Sequence, residues 1–77
     1  MLEVTEFRGK VYDRRHGGAF DRGSADSYYR RPRSPHYFES DTYSSAMIVP
    51  EPGSREYMDY MAGYEYNELL GDKKEWE

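Results

Sequence analysis

The sequence predicts a mainly α fold: a small two-helix (helix-loop-helix) domain with an extended or short β N-terminal arm and a long connector. Three observations carry that prediction. Residues 19–31 contain no proline, and Pro32 cannot continue a helix and pushes Arg31 out of helical geometry, so a first helix spans about residues 19–30. Residues 54–70 are marked at both ends, with Ser54 as N-cap, Glu56 in the first turn where a carboxylate favours the helix dipole, and Gly71 placed to end the helix. At 77 residues, with nine tyrosines but only seven Leu, Ile and Val, the chain has room for one thin, tyrosine-rich core.

Before the first helix, residues 1–18 form an arm. Leu2 to Phe7 alternates loosely, and Arg8-Gly9 could turn it back into Lys10-Val11-Tyr12, so a hairpin and an extended arm both fit. The paired glycines at 17 and 18 supply a turn into the helix. Within the helix-loop-helix domain, residues 19–70, Gly23, Ser24, Ala25 and Ser27 make a small face. Gly23 costs about 1 kcal/mol of helix stability relative to alanine, which calls for a reason. Close approach of a second helix supplies one, with Tyr28 and Tyr29 closing the far end.

Arg30 to Tyr37 (RRPRSPHY) is stiffened by two prolines, which holds its cations on a restrained segment. A polar connector follows, in which Met47-Ile48-Val49 is either a brief strand or a tether. On the second helix, Tyr57, Met58, Tyr60, Met61 and Tyr64 fill one arc of a helical wheel. Asp59, Gly63 and Asn67 lie opposite, so the arc is expected to pack on the first helix. Glu65 and Glu68 interrupt the stripe, and residues 71–77 form an acidic C-terminal tail in which Trp76 joins Leu69 and Leu70 as a partly exposed aromatic end.

Charge is divided unevenly. Residues 1–36 hold eight Lys and Arg against five Asp and Glu, whereas residues 37–77 hold three against ten. The two ends therefore act as separate patches over a Debye length of roughly 8–10 Å. The longest apolar run, Ala46 to Val49, is far short of the roughly 20 residues of a membrane helix, and the first ten residues lack a secretion signal's pattern. No membrane partner is expected, and the cytoplasm is the simplest location.

Catalytic and metal patterns are missing: there is no cysteine, His16 and His36 alone cannot close a metal site, no serine sits in a nucleophile elbow, and no glycine pattern forms a phosphate loop. A non-enzymatic protein without cofactor or metal is expected. Arginines beside aromatics suit RNA, since guanidinium forks hold phosphates and rings stack on unpaired bases. Arg22, Tyr29, Arg30, Arg31, Arg33, His36 and Tyr37 are the candidate nucleic-acid-binding residues. The competing use is ordinary surface pairing, for instance of Asp26 with Arg22 or Arg30, at about 0.3–0.5 kcal/mol each. At the other end Glu56, Asp59, Glu65, Glu68 and Asp72 could imitate phosphates and fill a basic groove on a protein, against the commoner role of a solvated face.

The block Phe20-Asp21-Arg22-Gly23, then Ala25, Tyr29-Arg30-Arg31 and Pro35-His36-Tyr37, followed by Arg55 to Met61, Gly63 and Tyr64 to Glu68, resembles the ribosome modulation factor family. The wording Arg22 to Tyr29, with Pro35-His36-Tyr37 and Ala62-Gly63-Tyr64-Glu65, also looks like that of short proteins encoded by tailed bacteriophages. The resemblance implies a helical pair and a partner in ribosomal RNA, where family members silence translation. This chain departs from the family in being acidic, in lacking its loop cysteine and in carrying tyrosines for the second-helix tryptophans. The expected function is that of a non-catalytic, phage-type regulator docking on a host ribonucleoprotein or RNA in the host cytoplasm. The alternatives are an acidic inhibitor of a host nucleic-acid-binding protein and a small assembly protein whose tyrosines form a homodimer seam.

Overall fold

The computed structural model describes residues 4–39, 46–71 and 73–75. Its element order is β1 (Val4–Phe7), β2 (Lys10–Asp13), α1 (Ala19–Tyr28), β3 (Tyr37–Phe38), β4 (Met47–Ile48) and α2 (Arg55–Leu70). The two helices stand where the sequence predicts, but the fold is α+β and not mainly α, because two small antiparallel sheets accompany them.

The first sheet exists because Arg8 and Gly9 both take positive φ, +53° and +77°, the backbone of a two-residue hairpin turn whose twist matches its strands. That turn sets the register Phe7 to Lys10 and Thr5 to Tyr12, and these side chains form one face of the hairpin. On this face Tyr12 stacks on Phe20 at 4.9 Å, and Phe7 meets Tyr66 edge-on at 5.4 Å. Val4 and Val11, on the other face, are exposed. The second sheet pairs Tyr37 with Ile48 and Phe38 with Met47, which settles the Met47-Ile48 patch as a strand closing the connector. Phe38 N–H also donates to the Gly17 carbonyl at 2.8 Å, and an Arg15 guanidinium N–H donates to the Phe38 carbonyl at 2.7 Å, so β3 is tied to the segment that enters α1.

The α1 helix stops two residues earlier than the sequence predicts. Tyr29 is its C-cap, Arg30 turns left-handed at φ +60°, and the N–H groups of Arg30 and Arg31 return to the carbonyls of Ser27 and Asp26 at 3.0 and 2.8 Å. This is a Schellman closure with arginine where glycine is usual, at a cost of roughly 1–2 kcal/mol. The α2 helix starts as expected, with the Ser54 hydroxyl accepting from Tyr57 N–H at 3.3 Å. It ends on left-handed Gly71.

The helices cross at two glycines. A Cβ on Gly23 would stand 2.0 Å from the Tyr60 carbonyl oxygen, and one on Gly63 would stand 2.1 Å from that of Phe20. The Ser24 hydroxyl completes the contact by donating to the Gly63 carbonyl at 3.0 Å. The small face of α1 therefore receives a helix, as expected, but the face presented by α2 is turned from the Tyr/Met arc. Tyr60, Gly63, Tyr64 and Asn67 are buried, while Met58 is 52% exposed. A helical wheel weighs hydropathy, whereas the crossing is decided by where backbone can meet backbone. Ala19, Tyr60 and Tyr64 form the buried cluster, with Tyr37 and Met61 against it.

Gly23→Ala and Gly63→Ala should each destabilise the protein by about 3 kcal/mol or more, since a backbone oxygen cannot yield as a side chain does. At roughly 4–8 °C per kcal/mol, thermal unfolding would show a fall of at least about 12 °C; a fall of only a few degrees would mean that the helices can separate without loss.

Candidate RNA-binding corner

Two tyrosine hydroxyls of α2 build the site. Tyr60, fully buried, donates its O–H to Asp26 Oδ2 and accepts from Ser34 N–H at 3.0 Å. Tyr64 donates its O–H to the Arg31 carbonyl. The loop after α1 is thus held at both ends by the core's own aromatic side chains. Burial, with the hydrogen bond to Asp26 next, raises the Tyr60 hydroxyl far above its ordinary value, so it remains a proton donor.

Asp26 lies at the centre, 4% exposed. It receives the Tyr60 O–H and, at a long 3.4 Å, an Arg31 N–H, and His36 Nδ1 stands 3.8 Å from its Oδ2. His36 Nε2 accepts from Arg22 Nε–H at 3.0 Å, which places the imidazole proton on Nδ1, where it is donated to the Ser34 carbonyl at 2.7 Å. Asp26 is not the exposed surface partner expected of it; it anchors the loop through Arg31. Its spacing from Gly23 (three) and to Ser27 (one), all three buried, was the available signal that it belonged to the packed face.

The candidate residues divide into two groups. Arg22 and His36 brace the loop from beneath. Tyr37, in β3, packs against the core and is removed from the loop's outer surface. Arg30, Arg31 and Arg33 are exposed, with Tyr29 at 38% exposure beside them. The Arg31 guanidinium lies 4.9 Å from the Tyr29 ring centre, and that of Arg33 lies 4.5 Å from the Tyr64 ring centre. Arg31 and Arg33 are each held over a ring, which orders them before any ligand arrives. Arg30 Nε–H donates to the Lys74 carbonyl at 3.2 Å.

The acidic candidates are largely neutralised within the protein. Glu65 pairs with Arg8 at 3.1 Å, Asp59 lies 3.7 Å from Lys10 and 3.9 Å from Arg55, and Glu68 pairs with Lys73. Glu68 also accepts from the Ser27 hydroxyl, which in turn accepts from Asn67 and Lys73, so the end of α2 is bound to α1 and does not project from the core. Residues 73–75 fold back on α1, with Lys74 N–H donating to the Tyr28 carbonyl at 2.7 Å. Glu56 and Asp59 line a small cavity of about 190 Å³ with Arg15 and Arg55. Asp72 and Trp76 lie outside the described residues. Among the described residues, no helix is long and apolar enough to cross a membrane.

Comparison of the chain with protein-family models, curated proteins and solved structures finds no match to any of them.

Two outcomes follow from this geometry. Tyr60→Phe removes a hydroxyl that serves both Asp26 and Ser34, and should cost about 1–3 kcal/mol in denaturant unfolding. Amide exchange at Ser34 should accelerate in the same variant, and an unchanged Ser34 rate would show that the loop does not need this bond. Burial raises the Asp59 carboxyl above its ordinary value, outweighing Lys10 and Arg55, so the folded state disfavours the ionised form. Such a group's contribution is fully present below its unfolded pKa and lost as pH rises through the higher folded one. Asp59→Asn should therefore raise the unfolding midpoint at pH 7, and the difference should vanish towards pH 3; an equal or lower midpoint at pH 7 contradicts the assignment.

Proposed function

We propose that this protein is a non-catalytic, phage-type regulator that docks the corner formed by Arg30, Arg31 and Arg33 on an RNA-containing target of the host cytoplasm, the ribosome first among them. The observation that carries the proposal is the pair of guanidinium groups of Arg31 and Arg33, set over Tyr29 and Tyr64 on a loop pinned by Tyr60 and Tyr64. A guanidinium stacked on a ring keeps outward N–H donors for phosphate oxygens and loses little rotamer freedom on binding. Tyr29, at the edge of the corner, offers a ring face to an unpaired base. The resemblance of residues 20–37 to the ribosome modulation factor family points in the same direction.

The acidic-inhibitor alternative is weaker on the same geometry. A phosphate mimic needs free carboxylates, and Asp59, Glu65 and Glu68 are each paired with a cation of this chain. A tyrosine homodimer seam is weaker too, since Tyr60 and Tyr64 are buried in the core.

Arg33 is exposed and meets the core through the Tyr64 ring, so its replacement should change stability little, which thermal unfolding of the variant checks. Arg33→Ala should lower affinity for a short unpaired RNA about tenfold, the equivalent of about 1.4 kcal/mol, and reduce the slope of affinity against salt by about one. Arg33→Lys should recover the salt slope but not the full affinity, because an ammonium neither forks nor stacks in the same way. Filter binding at several salt concentrations measures both. Wild-type affinity retained by Arg33→Ala would overturn the proposal.

A further inference from the structure

A depression of about 320 Å³ opens beside the arginine corner, lined by Arg22, Asp26, Arg31, Pro32, Ser34, His36 and Met47. Its volume lies at the small end of ligand pockets, which run from about 300 to 1,000 Å³, and suits one flat ring system with a short polar arm. We infer that this depression is a pocket for a single unpaired nucleobase bearing an amino group. The inference rests on the RNA reading of the corner and names what that corner selects.

Three features of the lining specify the ligand. Pro32 and Met47 contribute apolar surface of the kind that receives a base's face, and Met47 is 59% exposed and so unused by the core. The Asp26 carboxylate contributes one acceptor. Its Oδ2 takes the Tyr60 O–H, while its Oδ1 has, among the described residues, a 3.4 Å contact with Arg31, so one weakly engaged oxygen is left on a carboxylate that lines the depression. Guanine, adenine and cytosine each present an amino group that donates to a single such oxygen. Uracil brings carbonyl oxygens on both sides of its single N–H, and these repel a carboxylate. Arg31, its side chain 54% exposed, stands at the rim where the phosphate of the bound nucleotide would lie. Arg22 spends Nε–H on His36 and keeps its terminal nitrogens.

The pocket depends on the tertiary fold at every wall. Asp26 and Arg22 come from α1, Pro32 and Ser34 from the pinned loop, and Met47 from β4, which reaches the loop because it pairs with Phe38. A carboxylate beneath an arginine rim would be a poor site for a bare phosphate, and the pocket therefore discriminates by base rather than by charge.

The test uses the full chain and two kinds of probe. In NMR titrations, guanosine monophosphate should shift the Met47 methyl and His36 ring signals at concentrations at least tenfold below those needed with uridine monophosphate. Inorganic phosphate should leave both unchanged. Met47→Trp, a substitution at an exposed strand position, should fill the pocket and abolish the guanosine response. Equal responses to guanosine monophosphate, uridine monophosphate and phosphate would overturn the pocket, leaving an anion site only. A hexauridine and the same oligomer with one central guanosine separate the two proposals. Met47→Trp should lose the preference for the guanosine oligomer and keep hexauridine affinity, whereas Arg33→Ala should weaken both. Equal affinity of the two oligomers for the wild type overturns the pocket while the arginine corner stands. A shift with guanosine monophosphate but no binding of either oligomer supports the pocket and overturns the corner.

Discussion

The contact on which the rest depends is the crossing of Gly23 and Gly63, where each helix lays its backbone against a carbonyl of the other. At such a distance no side chain fits between the helices, and the alignment is fixed by shape rather than by the volume of a core. That suits a chain poor in aliphatics. Close backbone contact gives dispersion and weak Cα–H···O interactions without requiring many leucines, and the roughly 1 kcal/mol helix cost of a glycine is offset at the crossing.

The crossing also decides which tyrosines become structural. With Gly63 against Phe20, Tyr60 and Tyr64, about one turn apart on the buried side of α2, send their hydroxyls past the end of α1 to the loop. A buried tyrosine needs a partner for its O–H. Here the partners are Asp26 and the loop backbone, so satisfying the core and positioning the arginines are one event. The same logic runs at the far end of α2, where Ser27, Asn67, Glu68 and Lys73 satisfy one another across the helix pair. The stretch after α1 is ordered from both sides, which is what a short binding loop on a small domain requires if it is to present cations in a fixed arrangement.

Electrostatic asymmetry changes its meaning in the folded protein. Arg8, Lys10 and Lys73 are spent on Glu65, Asp59 and Glu68, so much of the acidic character of α2 is compensated by cations of the N-terminal hairpin and of the stretch just after α2. The exposed arginines after α1 face fewer carboxylates, Asp26 being nearly covered. An acidic protein can in this way carry a local cationic corner, because fields act over about a Debye length and not over the whole sum.

The sequence by itself determined the two helices, the capping of α2 by Ser54 and Gly71, the small face of α1 and the restrained Arg/Pro loop, since capping, proline geometry and glycine cost are local effects. It left the hairpin open: Arg8-Gly9 permits the turn, but only the stacking of Tyr12 on Phe20 and of Phe7 on Tyr66 gives a marginal two-stranded piece something to rest on. The buried face of α2 differs from the hydropathy arc for a physical reason, because hydropathy gives glycine and asparagine no weight where backbone approach and a buried hydrogen bond make them central. The site was legible in its composition and not in its arrangement. That Arg30, Arg31 and Arg33 turn outward while Arg22 and His36 turn inward, and that Asp26, Ser34 and Met47 meet beside them, depends on contacts between residues far apart in the chain, such as Tyr60 with Asp26, 34 positions apart. Only the tertiary structure could decide it, because nothing in local spacing encodes which side of a pinned loop faces the core.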